Sequence, residues 1–140
     1  MKKDIKTFLK NIEIMPIDKK HWNVFNINHI KPIKDEQEKI REVIINEVGN
    51  LSGVYIYKDK SSRVLYVGKG NPLRNRLYMH YRASFEPVSG DTKDKRWHRF
   101  WSAHKGKLTI YWKNIKNETE QKIIELMLEY ILSPKFIKFK

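Results

Sequence analysis

Two short apolar runs joined by a polar turn constrain this chain more than any other part of it. Gly53-Val54-Tyr55-Ile56-Tyr57 is β-branched and aromatic, Asp59 to Ser62 is polar, and Val64-Leu65-Tyr66-Val67-Gly68 is β-branched and aromatic again. Runs of this composition on either side of a short turn form two antiparallel strands. Tyr55 and Tyr66 then stand on neighbouring strands, where their hydroxyls can converge. The plain alternative is that tyrosine suits a half-buried pleated surface and does nothing more.

Chemistry-bearing residues follow directly. Gly68-Lys69-Gly70 is a tight exit from the second strand, and glycine there lets backbone approach a ligand closely. It is not a nucleotide phosphate loop, because G-x-x-x-x-G-K-[ST] is absent. Asn71-Pro72 marks a helix start, with Asn as cap and Pro at the first helical position, and the helix is expected to run to about Ala83. Arg76 and His80 lie four residues apart and share one face of it, while Leu73, Leu77 and Tyr81 mark its core side. An arginine so placed grips a phosphate through two donors. The alternative is a solvated basic face.

The rest of the chain supplies helices and one further strand. Ile5, Phe8, Leu9 and Ile12 line one face of a short helix. Met15 to Pro32 has no clear period and reads as a loop, held down by Trp22, Phe25, Ile27 and Ile30. Asp35 and Glu38 form a capping-box pattern for a helix to about Val48, stopped by Gly49. Ser84 to Thr92, with Pro87 and Gly90, reads as a loop, and Asp94 as the cap of a helix to about His104. Leu108 to Trp112 reads as a strand. Asn117 with Glu120 opens a helix over Glu118 to Leu132, ended by Pro134. The expected fold class is α+β, a small three-stranded antiparallel sheet flanked by helices.

Charge indicates the partner. The chain has 140 residues, 40% of them apolar, enough for one domain with a real core. Its net charge is +13, and residues 58–116 alone hold 15 basic against 4 acidic side chains, a net of +11. So concentrated a positive field implies a polyanion, nucleic acid first. Lys69, Arg74, Arg76, Arg82, Lys95, Arg96 and Arg99 are the candidate DNA contacts. Trp97-His98-Arg99-Phe100-Trp101 interleaves aromatic and basic groups, which could stack on bases and touch phosphates, although such tryptophans are more often core. There is no cysteine, which excludes disulfides and thiolate zinc sites. No apolar stretch is long enough for a signal peptide or a membrane span, so no membrane partner and a cytoplasmic, DNA-associated location are expected. Glu125 borders the apolar stripe Ile124, Met127, Leu128 and Ile131, where a carboxylate can hold a divalent cation through oxygen. Glu129 competes for that role, and a surface Glu near Lys122 is the plain reading.

Gly53-Val54-Tyr55, Tyr66-Val67-Gly68, Arg76 and Glu125, in that order and spacing, resemble the GIY-YIG nuclease superfamily over about residues 51–137. Val stands for Ile in both triplets, and Arg76 falls eight residues after Gly68, as the family's arginine does. Lys69 and His80 are similar to positions of the excision-repair and restriction-type branches. The resemblance implies a metal-dependent DNA endonuclease, of restriction or homing type, with Mg²⁺ (or Mn²⁺) on Glu125. It implies that Tyr55 accepts the proton of the attacking water with help from Lys69. Arg76 then stabilises the phosphoryl charge, and Tyr66 and His80 position water or phosphate. The other class of reading is a non-catalytic nucleic-acid-binding module that kept the charge and lost turnover. Residues 1–50 lie outside the resemblance and are expected to form a largely helical extension for dimerisation or DNA contact, with 51–140 as the nuclease domain. Double-strand cutting needs two sites or two visits, so a restriction-type enzyme is expected to act as a homodimer on double-stranded DNA.

Overall fold

The computed structural model of the protein describes residues 1–33, 35–86 and 92–136, and of residues 92–95 the backbone alone. The chain runs α1 (Lys2–Asn11), β1 (Asn23–His29), α2 (Glu36–Val48), β2 (Gly53–Lys58), β3 (Val64–Gly70), α3 (Leu73–Ala83), α4 (Thr92–Ala103), β4 (Gly106–Asn114) and α5 (Glu118–Leu132). The sheet has four strands in the order β1-β4-β2-β3, all antiparallel, so the expectation of three strands is corrected.

The additional strand is β1, in the stretch read as a packed loop. It pairs along its whole length with β4, from Asn23 opposite Trp112 to His29 opposite Gly106. As an edge strand it has one bonded neighbour, and its exposed positions carry Asn23, Asn26 and Asn28. Asparagine is a poor strand former, so the buried alternates Ile27 and His29 were too few to reveal the period.

Strand alternation gives the sheet two apolar faces. Val54, Ile56 and Val67 pack with Leu9 of α1 and with Ile124 and Leu128 of α5. Tyr55, Tyr57 and Ile110 pack on the other face with Ile44 and Val48 of α2, Leu73 and Leu77 of α3, and Trp101 of α4. The result is a helix–sheet–helix sandwich in which β3 is an edge strand between α3 and α5. Phe136 beyond α5 donates its backbone N–H to Leu65, covering part of that edge.

Helix ends follow the expected chemistry in part. Asn117 caps α5, its side chain accepting from the Glu120 N–H at 2.9 Å. Gly49 ends α2 with a positive φ of 55°. Asp35 makes no side-chain cap bond, and the N-cap of α3 is Pro72 rather than Asn71. The expected loop residues Pro87 and Gly90 lie outside the described residues, and the expectation that Asp94 caps α4 is corrected, because the helix already begins at Thr92.

Candidate active site

Three glycines of the hairpin are fixed by close approach. A Cβ on Gly53 would fall on the Lys113 carbonyl oxygen of β4, so only glycine permits that pairing. A Cβ on Gly70 would stand 2.8 Å from the Leu73 Cα and 3.2 Å from the Arg76 Cγ, so the turn from β3 into α3 is backbone-tight. Gly68 lies opposite Tyr55, whose ring crosses it; a Cβ there would stand 2.5 Å from the Tyr55 hydroxyl oxygen. The glycines of the two triplets therefore serve to bring two tyrosines and an arginine together.

Tyr55 and Tyr66 stack with ring centroids 6.0 Å apart and planes 16° from parallel. The Arg76 guanidinium reaches both hydroxyls and donates to the Tyr66 oxygen at 3.4 Å. Trp97 hydrogen-bonds the Tyr66 hydroxyl through its indole N–H and lies under the Arg76 guanidinium, 5.5 Å from it. His80, fully buried, contacts the Tyr55 hydroxyl through Nε2 at 2.5 Å and packs against Trp97 and Trp101.

Tyr66, Lys69, Gly70, Asn71, Pro72, Asn75, Arg76 and Glu125 surround a cavity of about 310 Å³ at the end of β3, between α3 and α5. The cavity thus joins Tyr66, Lys69, Arg76 and Glu125, which are separated by up to 59 positions in sequence. Tyr55 and His80 are not among its lining residues and stand one layer behind it. The phenol that meets the cavity is Tyr66.

Burial pushes the Tyr55 phenol well above its ordinary value, the Tyr66 phenol adds to the rise, and Arg76 opposes it. Burial raises Tyr66 as well, again against Arg76, with Glu125 contributing a smaller rise. Both phenols are therefore protonated at neutral pH. Burial works to lower the Arg76 guanidinium, but the phenols outweigh it and the net shift is upward, so Arg76 keeps its charge.

Glu125 is 6% exposed and is positioned by a polar clamp one helical turn earlier. Gln121 and Asn71 exchange reciprocal side-chain amide bonds, each 2.8 Å, and Gln121 also donates to the Ile115 carbonyl at 2.6 Å. This pins α5 to the loop leaving β3. Among the described residues no three His, Asp or Glu side chains gather as a metal cage. A lone carboxylate on an open cavity fits a hard divalent cation that keeps most of its waters and shares substrate phosphate oxygens, the habit of Mg²⁺. Glu129, one turn on, is also buried but does not line the cavity.

The remaining basic candidates divide. Arg74 is half-buried and donates to the Gly49 carbonyl at 3.5 Å. Arg82 is exposed but paired with Glu86 at 2.7 Å, which cancels its charge. Arg96 lies over the Phe136 ring at 4.5 Å, and Arg99 is exposed on α4. The Lys95 side chain lies outside the described residues. Sequence reasoning missed Asn71, Asn75 and Gln121. Gln121 was the findable one, because a polar residue four before Glu125, among the buried positions of α5, shares its face. Trp97 was left between core and ligand contact; it packs against the core and beside Arg76.

A family model described as the UvrC-like GIY-YIG domain matches residues 51–137. A UvrABC system protein C from Treponema denticola is 42% identical over 48 residues, which is 34% of this chain and 7% of that protein. The GIY-YIG N-terminal endonuclease domain of UvrC from Thermotoga maritima, solved bound to its catalytic divalent cation, magnesium, is 25% identical. The match covers 74% of this chain and 97% of that one, with a TM-score of 0.46. A point mutant of the same domain is 26% identical with a TM-score of 0.45, over 74% of this chain and 96% of that one. With the family match spanning residues 51–137, which hold the glycine-pinned tyrosines, Arg76 and Glu125, the chain belongs to the UvrC-like GIY-YIG domain family.

Proposed function

We propose that this domain is a divalent-metal-dependent DNA endonuclease of the excision-repair type. The observation that carries the proposal is the convergence of Tyr66, Lys69, Arg76 and Glu125 on one cavity. A binding surface alone has no use for a buried carboxylate in a basic cavity. The restriction or homing reading gains no support from the relatives, whose names are those of excision-repair proteins.

In this reading Arg76 donates to the non-bridging oxygens of the scissile phosphate, where charge builds in the transition state. Lys69 adds a second positive charge on the same wall. Hydrogen bonds from Arg76 and Trp97 fix the Tyr66 hydroxyl at the cavity wall, where it positions a phosphate or water oxygen. Glu125 holds Mg²⁺ (or Mn²⁺), which when bound polarises the phosphoryl group and offsets charge on the leaving oxygen. Tyr55 has no exposed surface and is protonated at neutral pH, so it can take the water's proton, passed on through Tyr66, only as its own hydroxyl proton leaves. The His80 imidazole at the Tyr55 hydroxyl offers that proton a further place to go.

The test is supercoiled plasmid incubated with Mg²⁺ or with EDTA, using the wild type and Arg76→Ala. Nicking only with metal, and about 10²–10³-fold slower per folded molecule in Arg76→Ala, is expected. A gel shift without cleavage would assign a binding module instead. Cleavage indifferent to EDTA or to Arg76→Ala would refute the assignment.

A further inference from the structure

A second cavity, of about 110 Å³, lies between α2 and α3. Arg41, Ile44, Ile45, Arg74, Asn75 and Tyr78 line it. Asn75 lines the catalytic cavity too, so the two share a wall. On α3 the consecutive residues Arg74, Asn75 and Arg76 serve the second cavity, both cavities and the first cavity in turn. The second cavity draws Arg41, Ile44 and Ile45 from α2, which precedes the family match at residues 51–137.

Arg41, Arg74 and Tyr78 supply it with donors. Arg74 gives one long bond to the Gly49 carbonyl, at 3.5 Å, and a guanidinium has five N–H groups. The Tyr78 hydroxyl accepts from Gln37 Nε2 at 2.9 Å, so its own proton is left to give. Among the described residues Arg41 faces one carboxylate, Glu38, at 3.8 Å. Both are more than half exposed, and so loose a pair is readily exchanged for another anion. The Arg41 guanidinium also lies 6.0 Å from the Tyr78 ring, which keeps its positive charge at this rim.

We infer that this cavity is a second phosphate subsite, in which Arg41 of the N-terminal extension and Arg74 hold a DNA backbone phosphate neighbouring the one in the catalytic cavity. The inference rests on the nuclease reading for its substrate. The extension then contributes to DNA grip and sets which way the strand leaves the active site. Gln37 positions the Tyr78 hydroxyl rather than supplying charge.

The test measures the binding of a labelled short duplex by fluorescence anisotropy across a salt series, with Glu125→Gln present throughout to prevent cleavage. Arg41→Ala and Arg41→Glu are compared with Lys60→Ala, which removes an exposed charge in the β2–β3 turn, at the opposite end of the hairpin from Gly53 and Gly70. Losing one phosphate contact lowers the salt slope of log K by about 0.9. Arg41→Ala should show that drop with several-fold weaker binding, Arg41→Glu a larger loss, and Lys60→Ala neither. Equal effects of Arg41→Ala and Lys60→Ala would mean diffuse attraction and overturn the subsite, as would an Arg41→Ala curve matching the parent. Those results leave the nuclease reading standing if the plasmid is nicked. Normal Arg41-dependent binding with no nicking would sink the nuclease reading and keep the subsite, and absence of any DNA binding would remove both.

Discussion

Gly68→Ala separates packing from chemistry in one substitution. In a strand, exchanging Gly for Ala ordinarily stabilises by about 0.5–1 kcal/mol, because glycine loses more backbone freedom on folding. Here the added methyl would stand 2.5 Å from the Tyr55 hydroxyl oxygen and 2.8 Å from the Tyr66 Cε1. Neither ring can retreat: both are essentially unexposed, and Tyr55 is enclosed by Tyr57, Tyr66 and His80 at centroid distances of 5.8, 6.0 and 5.5 Å. Overpacking a filled core costs about 1–3 kcal/mol, and separating Tyr55 from His80 costs about 0.5–1.5 kcal/mol more. Sterics therefore win over entropy, for a net loss of roughly 0.5–4 kcal/mol. Urea unfolding followed by tryptophan fluorescence should show a midpoint lowered by about 1 M for each 2 kcal/mol at the slope of a small domain. Gly49→Ala is the control, because that glycine has a positive φ of 55° and nothing within 4 Å of the added methyl. It should lose about 1–3 kcal/mol through backbone strain alone, since φ 55° with ψ −128° lies outside the left-handed helical region, and keep its cleavage rate per folded molecule. Gly68→Ala should lose cleavage well beyond its unfolded fraction. A Gly68→Ala protein as stable as wild type and fully active would refute the argument that this glycine seats the tyrosines.

Gln121→Ala leaves the Asn71 amide and the Ile115 carbonyl without their partner and frees α5 beside Glu125; thermal melts should show a loss of about 1–3 kcal/mol, and nicking should need more Mg²⁺. His29 is buried with its pKa lowered by desolvation from 6.5 to about 3, so it is neutral in the folded protein while the unfolded chain takes up a proton below about pH 6.5. Stability contributed this way is present above pH 6.5 and is lost as pH falls toward 3, at up to about 1.4 kcal/mol per pH unit. Urea unfolding at successive pH values should show that slope in wild type and a flatter one in His29→Phe, and equal slopes would refute the assignment.

What was legible in the sequence was local. The hairpin, α5 from Glu118 to Leu132 and the stop at Gly49 all rest on period, cap and turn chemistry carried by neighbouring residues. The Tyr66–Lys69–Arg76 part of the site was legible for the same reason, since one hairpin exit and one helix hold it. Illegible were the features made by distant partners. β1 is a strand because β4 offers it an edge, against its own asparagines. His80 shares a helix face with Arg76, yet α4 closes over it with Trp97 and Trp101 and turns it from a cavity residue into the buried partner of Tyr55. The choice between Glu125 and Glu129 needed the Asn71–Gln121 clamp, which joins positions 50 residues apart.

That choice is also where the account is most exposed to test. The rate of Mg²⁺-dependent plasmid nicking should be compared for wild type, Glu125→Gln and Glu129→Gln, with a gel shift confirming that each still binds DNA. The account predicts that Glu125→Gln binds DNA but does not nick at any Mg²⁺ concentration, while Glu129→Gln nicks like the wild type. Nicking by Glu125→Gln at the wild-type rate, or its loss in Glu129→Gln alone, would contradict it.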